Sequence, residues 1–264
     1  MQIKILADSI NPYGNRLTTF LISDFPKCLL AELNTHRMFS RNAASSRAIP
    51  IEKMIEKVKA DPFIPHFTRN QKGMQGVEDL QPHEIRIARD VWLKALDAAV
   101  EQVYELIAIG IHKQNANRLL EPFMKVPVIV SATEWENFFK LRTHPTAQPE
   151  FREYAVEMLR LRKEHQPIPL KLHEWHIPFA DDDFCASLTI RQKLKVATAR
   201  CARLSYSTHL GEYSYEADQK LHDSLLENGH LSPFEHCAVA SYDELSKNFR
   251  GWRQYRSMTE IQGI

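Results

Sequence analysis

Only eight glycines occur in the 264 residues, and none stands in a G-x-G-x-x-G or P-loop spacing. Rossmann and P-loop nucleotide sites need glycine so that the backbone can approach phosphate closely. Those two kinds of nucleotide site are therefore not expected, and any nucleotide bound here is held mainly by side chains and helix ends. The length suits one large domain or two small ones with a substantial core. A formal net charge of +1 at pH 7 gives no global field to recruit nucleic acid or a membrane, so a basic site must be local. The four cysteines, Cys28, Cys185, Cys201 and Cys237, form no C-x-x-C pair. This argues against zinc or a disulfide framework and fits a reducing cytoplasm. Met1 to Leu6 is too short and alternating for a signal peptide, and no apolar run reaches membrane-spanning length.

Residues 2–7 and 17–22 alternate like strands around a turn at Asn11-Pro12-Tyr13-Gly14. Pro26 can open a helix through Leu33. Residues 61–82 lack periodicity and are expected to be a long loop. From Glu84 to about Asn115, Ile85, Ala88, Val91, Trp92, Ala95, Val103, Leu106 and Ile107 recur at three and four, which predicts a helix with that stripe in the core. A short helix broken near Pro122 and Pro127 is expected next, then helices at 147–163, 189–203 and 215–228, with 168–179 extended. Asp181-Asp182-Asp183 is expected to be a loop or helix cap and not a metal site. These elements predict one helix-rich α+β domain over residues 1–264.

The run Thr35-His36-Arg37-Met38-Phe39-Ser40-Arg41-Asn42-Ala43-Ala44-Ser45-Ser46-Arg47 holds a histidine, three arginines and three serines. Arginine offers a planar fork of donors that fits phosphate, and serine hydroxyls can complete the cradle. An anion site is one reading, and a solvated polar turn is the other. Two further segments carry chemistry. One is Asn137-Phe138-Phe139-Lys140-Leu141-Arg142 followed by Ala147-Gln148-Pro149-Glu150. The other is Ala202-Arg203-Leu204-Ser205-Tyr206 followed by Gly229-His230-Leu231-Ser232-Pro233-Phe234-Glu235-His236.

Together these segments resemble the flavin-dependent thymidylate synthases. Thr35-His36-Arg37, Ser45 and Arg47 follow that family's Arg-His-Arg signature. Asn137, Arg142, Ala147, Gln148 and Glu150 follow its later segment. The Gly-His-x-Ser-Pro-x-Glu-His pattern stands at the carboxyl end of this chain instead of the front, so the sequence looks like a circular permutation, which close surface termini permit. Phe249-Arg250-Gly251-Trp252-Arg253-Gln254-Tyr255-Arg256 faintly echoes the approach to Arg-His-Arg; its alternative is a solvated basic tail.

The resemblance implies transfer of a one-carbon unit from methylenetetrahydrofolate to carbon-5 of a deoxypyrimidine monophosphate. FAD is the implied redox cofactor, NADPH its reductant, and a homotetramer with sites between subunits the implied assembly. Arg142 is the implied catalytic residue, holding the base and favouring its ionised form. Glu32, Ser45, Ser46, Arg47, Arg118 and Gln148 would complete the nucleotide site. His36, Arg37, Met38, Asn137, Ser205, Glu235 and His236 would contact flavin, and no metal is implied. Several positions depart from the family pattern: Thr35 for arginine, Ala43 for glutamate, Glu32 for glutamine, Ala48 for tyrosine, and Ser131 and Thr133 for an Asn-x-Arg contact. A carboxylate at Glu32 prefers an amino group on the base edge, so the second reading is a dCMP hydroxymethylase. A nucleic-acid-binding module or a catalytically inactive relative is the rival of another class, and near-zero net charge argues against the first of these.

Overall fold

A computed structural model describes all residues except 74, 75, 77, 205–213 and 262–264, together with the side chain of Ile261. In chain order the elements are β1 (Ile3–Ile10), β2 (Arg16–Pro26), α1 (Leu30–Leu33), β3 (Ser40–Ala43), α2 (Ile51–Ala60), α3 (Pro82–Ala108), α4 (Lys113–Ala116), β4 (Lys125–Ala132), α5 (Glu136–Arg142) and α6 (Pro149–Glu164). They continue as β5 (Ile168–Pro169), β6 (Trp175–His176), α7 (Asp183–Ala186), α8 (Ile190–Arg203), α9 (Tyr215–Glu227), β7 (Ala238–Ser246), β8 (Phe249–Gln254) and α10 (Tyr255–Ile261). The architecture is α+β and rich in helix. Among the described residues, one sheet has the order β3-β4-β2-β1-β5 and a second the order β6-β7-β8.

Strand alternation decides the layers. On β2, Phe20 and Ile22 face a large core shared with Val126, Val128 and Val130 of β4 and with α2, α3, α5 and α6. Leu17, on the opposite face of β2, packs with Ala238, Ala240, Phe249 and Trp252 of the second sheet. Beyond that sheet, Leu194 and Ala197 of α8 pack on Cys237, with Trp175 and Tyr255 against them. Helices therefore flank two stacked sheets. The helix ends follow local chemistry. Gln81 and Glu84 form a capping box on α3, with Pro82 in its first turn. Thr189 and Gln192 do the same on α8. Asp182 caps α7 by accepting from the Cys185 amide, as its place in the acidic triplet suggests.

Three expectations need correction. Lys125–Ala132 is a central strand, not the end of a broken helix. Pro127 hides it in the sequence, because proline cannot donate to a sheet ladder. The structure places Pro127 where the β2–β4 register shifts between Ile22 and Phe25, so no donor is needed there. Phe249–Gln254 is strand β8, not a solvated tail, and Trp252 is completely buried. On α3, Ile85, Val91 and Ala95 are exposed, and Leu96 and Val100 join the expected Val103 in the core.

A dry line of polar groups joins the two sheets. The Asn42 amide nitrogen faces His236 Nε2 at 2.9 Å. His236 Nδ1 then donates to Ser131 Oγ (2.8 Å), which leaves Ser131 to donate to Thr19 Oγ1 (2.7 Å). Thr19 donates to His176 Nε2 (2.8 Å), and His176 Nδ1 to Ser9 Oγ (2.9 Å). Each acceptor is also the next donor, so every group is satisfied only while both imidazoles are neutral. Burial pushes both histidines down to about 3.

Acid should therefore weaken the fold. Unfolded histidine takes a proton below its ordinary 6.5, whereas native His176 and His236 stay neutral until about pH 3. The unfolded chain binds more protons in that window, so stability is lost as pH falls through it, at up to about 1.4 kcal/mol per pH unit for each histidine. Urea melts across that range, on the wild type and on H176N, check this, with a shallower pH slope expected in the variant. A second expectation concerns Gly251, which has φ +74° and would place a Cβ 2.5 Å from Asn11 Nδ2. Asn11 cannot give way, because it is buried and donates to the Gly251 and Ser241 carbonyls. Gly251→Ala should cost about 2 kcal/mol or more in the same melts.

Candidate active site

His36 sits in the turn between α1 and β3. Its amide donates to the Leu33 carbonyl, and its own carbonyl accepts from the Phe39 amide and from Arg41 Nη1 at 2.7 Å. The imidazole is only 8% exposed. Phe39 stacks on it at 5.5 Å, and Phe138 meets it edge-on at 5.0 Å. α5 supplies Phe138 to this cage because its Phe138–Phe139 pair faces the core. One turn later the same helix delivers Arg142. Arg142 Nε donates to His36 Nε2 at 3.0 Å, and its guanidinium carbon lies 4.6 Å over the Phe151 ring of α6, a cation–π geometry. Burial, then the Arg142 and Arg41 charges, pushes His36 down to about 4. Burial also lowers Arg142, against a counteracting pull from Glu32. Glu32 Oε2 is buried and accepts no hydrogen bond.

The turn at residues 44–48 forms a second group. Lys27 Nζ donates to the Ala44 carbonyl (3.3 Å), and Lys113 Nζ to the Ala48 carbonyl (3.2 Å). Asn117 Nδ2, fully buried, donates to the carbonyls of Ser46 and Ile49. Arg47 is exposed, and Arg118 is exposed with Nη1 3.9 Å from Glu121. The carboxylate of Glu121 partly offsets four cations around this turn. Burial and the Arg118 charge lower Lys27, and Glu121 opposes them. Lys27 and Lys113 were not expected here. Neither belongs to the 35–47 run, and only the fold brings them to it.

The third group is the Ser-Pro-Phe-Glu-His segment, a 3-10 turn at Ser232–Glu235 that lies against β3. Ser232 Oγ donates to the Asn42 amide oxygen, and Glu235 accepts from Arg256 Nη1 at 2.6 Å. Motifs at opposite ends of the chain thus meet.

The structure places the other expected ligand residues as follows. His236 is fully buried with both ring nitrogens used inside the protein, and it holds β3 against the second sheet. His36 Nε2 accepts from Arg142, and its Nδ1 has no hydrogen-bond partner among the described residues. The Ser46 hydroxyl is buried and donates to Glu121 at 2.6 Å. Ser131 and Thr133, at the departure from the family pattern, serve the sheet interface and the Arg250 amide. Arg37, Asn137 and Gln148 are exposed, and their side chains make no hydrogen bond to the groups above. Met38 is half-buried and gives its carbonyl to Asn248. Ser45 Oγ accepts from the Arg47 amide at 3.4 Å. Ser205 lies outside the described residues.

No described helix is long and apolar enough to cross a membrane. The sequence is 27% identical over 143 residues to a flavin-dependent thymidylate synthase of Pyrococcus furiosus, covering 53% of this chain and 52% of that protein. It is 26% identical over 155 residues to a flavin-dependent thymidylate synthase of Pyrococcus abyssi, covering 57% of each. The chain thus spans little more than half the length of these relatives. A solved UMP/dUMP methylase, PolB from Streptomyces cacaoi bound with 5-Br UMP, is similar at a TM-score of 0.49 and 15% identity, over 62% of this chain and 88% of that one. The model of the family described as thymidylate synthase complementing protein matches residues 16–168. That span is more than half of the chain; it contains Glu32, His36, Arg47, Arg118 and Arg142 and ends before the Ser-Pro-Phe-Glu-His segment. The chain belongs to the thymidylate synthase complementing protein family.

Proposed function

We propose that this protein transfers a one-carbon unit from methylenetetrahydrofolate to carbon-5 of a deoxypyrimidine 5'-monophosphate. The observation that carries this reading is Arg142, held at Nε by His36 and over the Phe151 ring, with its terminal amino groups making no hydrogen bond to the described residues. A pyrimidine edge presents carbonyl oxygens, and those amino groups are donors to them. A fixed cation at the ring lowers the cost of losing the N3 proton, which makes carbon-5 more electron-rich. The four cations around residues 44–48 would hold the phosphate, with Arg47 and Arg118 the exposed pair.

Flavin dependence rests on the names of the relatives, with FAD as the cofactor and NADPH as its reductant. Within one protomer the residues expected to touch flavin do not fit it as a set, because both His236 nitrogens are used internally and His36 Nε2 is held by Arg142. We therefore derive no step through it. The proposal includes a homotetramer with sites shared between subunits, a circularly permuted motif order and a cytoplasmic setting. Free thiols at all four cysteines accord with that setting. The second reading is dCMP as substrate, with water ending the reaction to give 5-hydroxymethyl-dCMP; it rests on a carboxylate at Glu32 in place of the family's glutamine, which would accept from the cytosine amino group.

The purified protein should show flavin absorbance. It should turn over dUMP or dCMP when each is assayed alone with methylenetetrahydrofolate and NADPH. A colourless protein that binds neither nucleotide would favour the inactive or nucleic-acid-binding alternatives. Arg142→Ala should lower kcat/KM about 100-fold or more. Glu32→Gln should shift preference toward dUMP if dCMP is the native substrate. Cys28 gives a separate readout. Its exposed thiol feels the charges of Glu150 and Glu32, and burial followed by those charges raises its pKa. Alkylation by iodoacetamide should accelerate with rising pH and slow when the nucleotide is bound. Unchanged labelling at saturating dUMP and dCMP would place the nucleotide elsewhere.

A further inference from the structure

Arg142 and Glu32 are opposite charges close enough to perturb each other, yet no ion pair joins them. A guanidinium and a half-buried carboxylate ordinarily close into a bidentate pair. Here the Arg142 terminal amino groups make no hydrogen bond to the described residues, and Glu32 Oε2 is left without a donor. The hydrogen bond that Arg142 does make goes through Nε to His36.

We propose that His36 is the positioning residue of this site: its Nε2 lone pair holds Arg142 Nε, so that the terminal amino groups of Arg142 stay open for the base edge of a pyrimidine nucleotide. This rests on the proposed function for the identity of the ligand, but not for the His36–Arg142 coupling itself.

The geometry fixes the imidazole as an acceptor. An Nε2 that accepts requires a neutral ring with its proton on Nδ1. The ring cannot swing away, because Phe39 stacks on it at 5.5 Å and Phe138 closes the edge at 5.0 Å. Its backbone is tied at both ends, to the Leu33 carbonyl and to Arg41 Nη1. The charges facing it are Arg142 from α5 and Arg41 from β3, both cations, and together with burial they keep it neutral far below pH 7. Phe151 supports the other side of the guanidinium. Arg142 is thus gripped at Nε and on its face and is free at its two ends. Its Nε2 is committed to Arg142, and through that bond it sets where the guanidinium points.

Two variants separate the acceptor from the aromatic ring. His36→Phe keeps a ring for Phe39 and Phe138 but offers no lone pair, and His36→Gln keeps an oxygen acceptor without the ring. In a ¹⁵N–¹H spectrum of arginine Nε groups, assigned with R142K, the wild-type Arg142 signal should be resolved and slow to exchange. It should persist in H36Q and be lost in H36F. Calorimetric titration with dUMP and with dCMP should show about tenfold or more weaker binding in H36F. Binding in H36Q should stay within about threefold of wild type. An unchanged signal and affinity in H36F overturn the proposal, as does an H36Q variant that loses both. Should H36F fail to fold, the H36Q arm alone decides. A wild type that binds neither nucleotide removes the proposed substrate, and the Nε signal still judges the coupling.

Discussion

The antiparallel pairing of β2 with β4 is the interaction on which the rest depends. It runs from Thr18 opposite Ala132 to Pro26 opposite Lys125 and is almost entirely buried. β3 adds to the free edge of β4, with Ser40 opposite Ser131 and Ala43 opposite Val128, which fixes the turn carrying His36 on one side and the 44–48 turn on the other. β4 also runs directly toward α5, so the strand that receives β3 leads to the helix that presents Arg142. The two residues of the central hydrogen bond are 106 positions apart in sequence and meet because both hang from one strand.

The second sheet adds constraint and no obvious reactive group. Its polar contact with the first runs through neutral imidazoles and hydroxyls whose every donor has an acceptor. A buried network of this kind is worth most when complete and is costly when one member is lost. That explains why His236, at the end of a motif associated with ligand binding in the family it resembles, serves here as an internal strut. It also explains why the Ser-Pro-Phe-Glu-His segment can sit at the far end of the chain. Its role toward β3 needs spatial contact, through Asn42 and Ser232, and not any particular order along the chain.

At the site, an imidazole kept neutral by burial and by two cations serves as a lone pair, and a guanidinium with one nitrogen committed keeps the others. An unpaired buried carboxylate oxygen costs stability. Such a group persists where function requires it, and the Glu32 charge acts on Arg142.

The sequence by itself determined the pieces with local causes. The first hairpin, α6, α8 and α9 were legible from alternation, capping residues and the 3.6-residue period. The lack of glycine-rich phosphate-loop spacings argued against two kinds of nucleotide site. Arg142, Glu32 and the 35–47 run were legible as chemistry from their spacing. Only the tertiary structure decided what each group does. Pro127 concealed β4, because a proline reads as a strand breaker until a bulge removes the need for its missing donor. Val91 and Ala95 lie on the same helix as Leu96 and Val100, and periodicity cannot say which face finds a neighbour. His36 and His236 read as ligands in one dimension. In three dimensions both His236 nitrogens and His36 Nε2 are already taken, and Lys27 and Lys113 join the turn at 44–48 from distant segments. A hydrogen-bond partner is a fact about space, and residue order constrains it only through the fold.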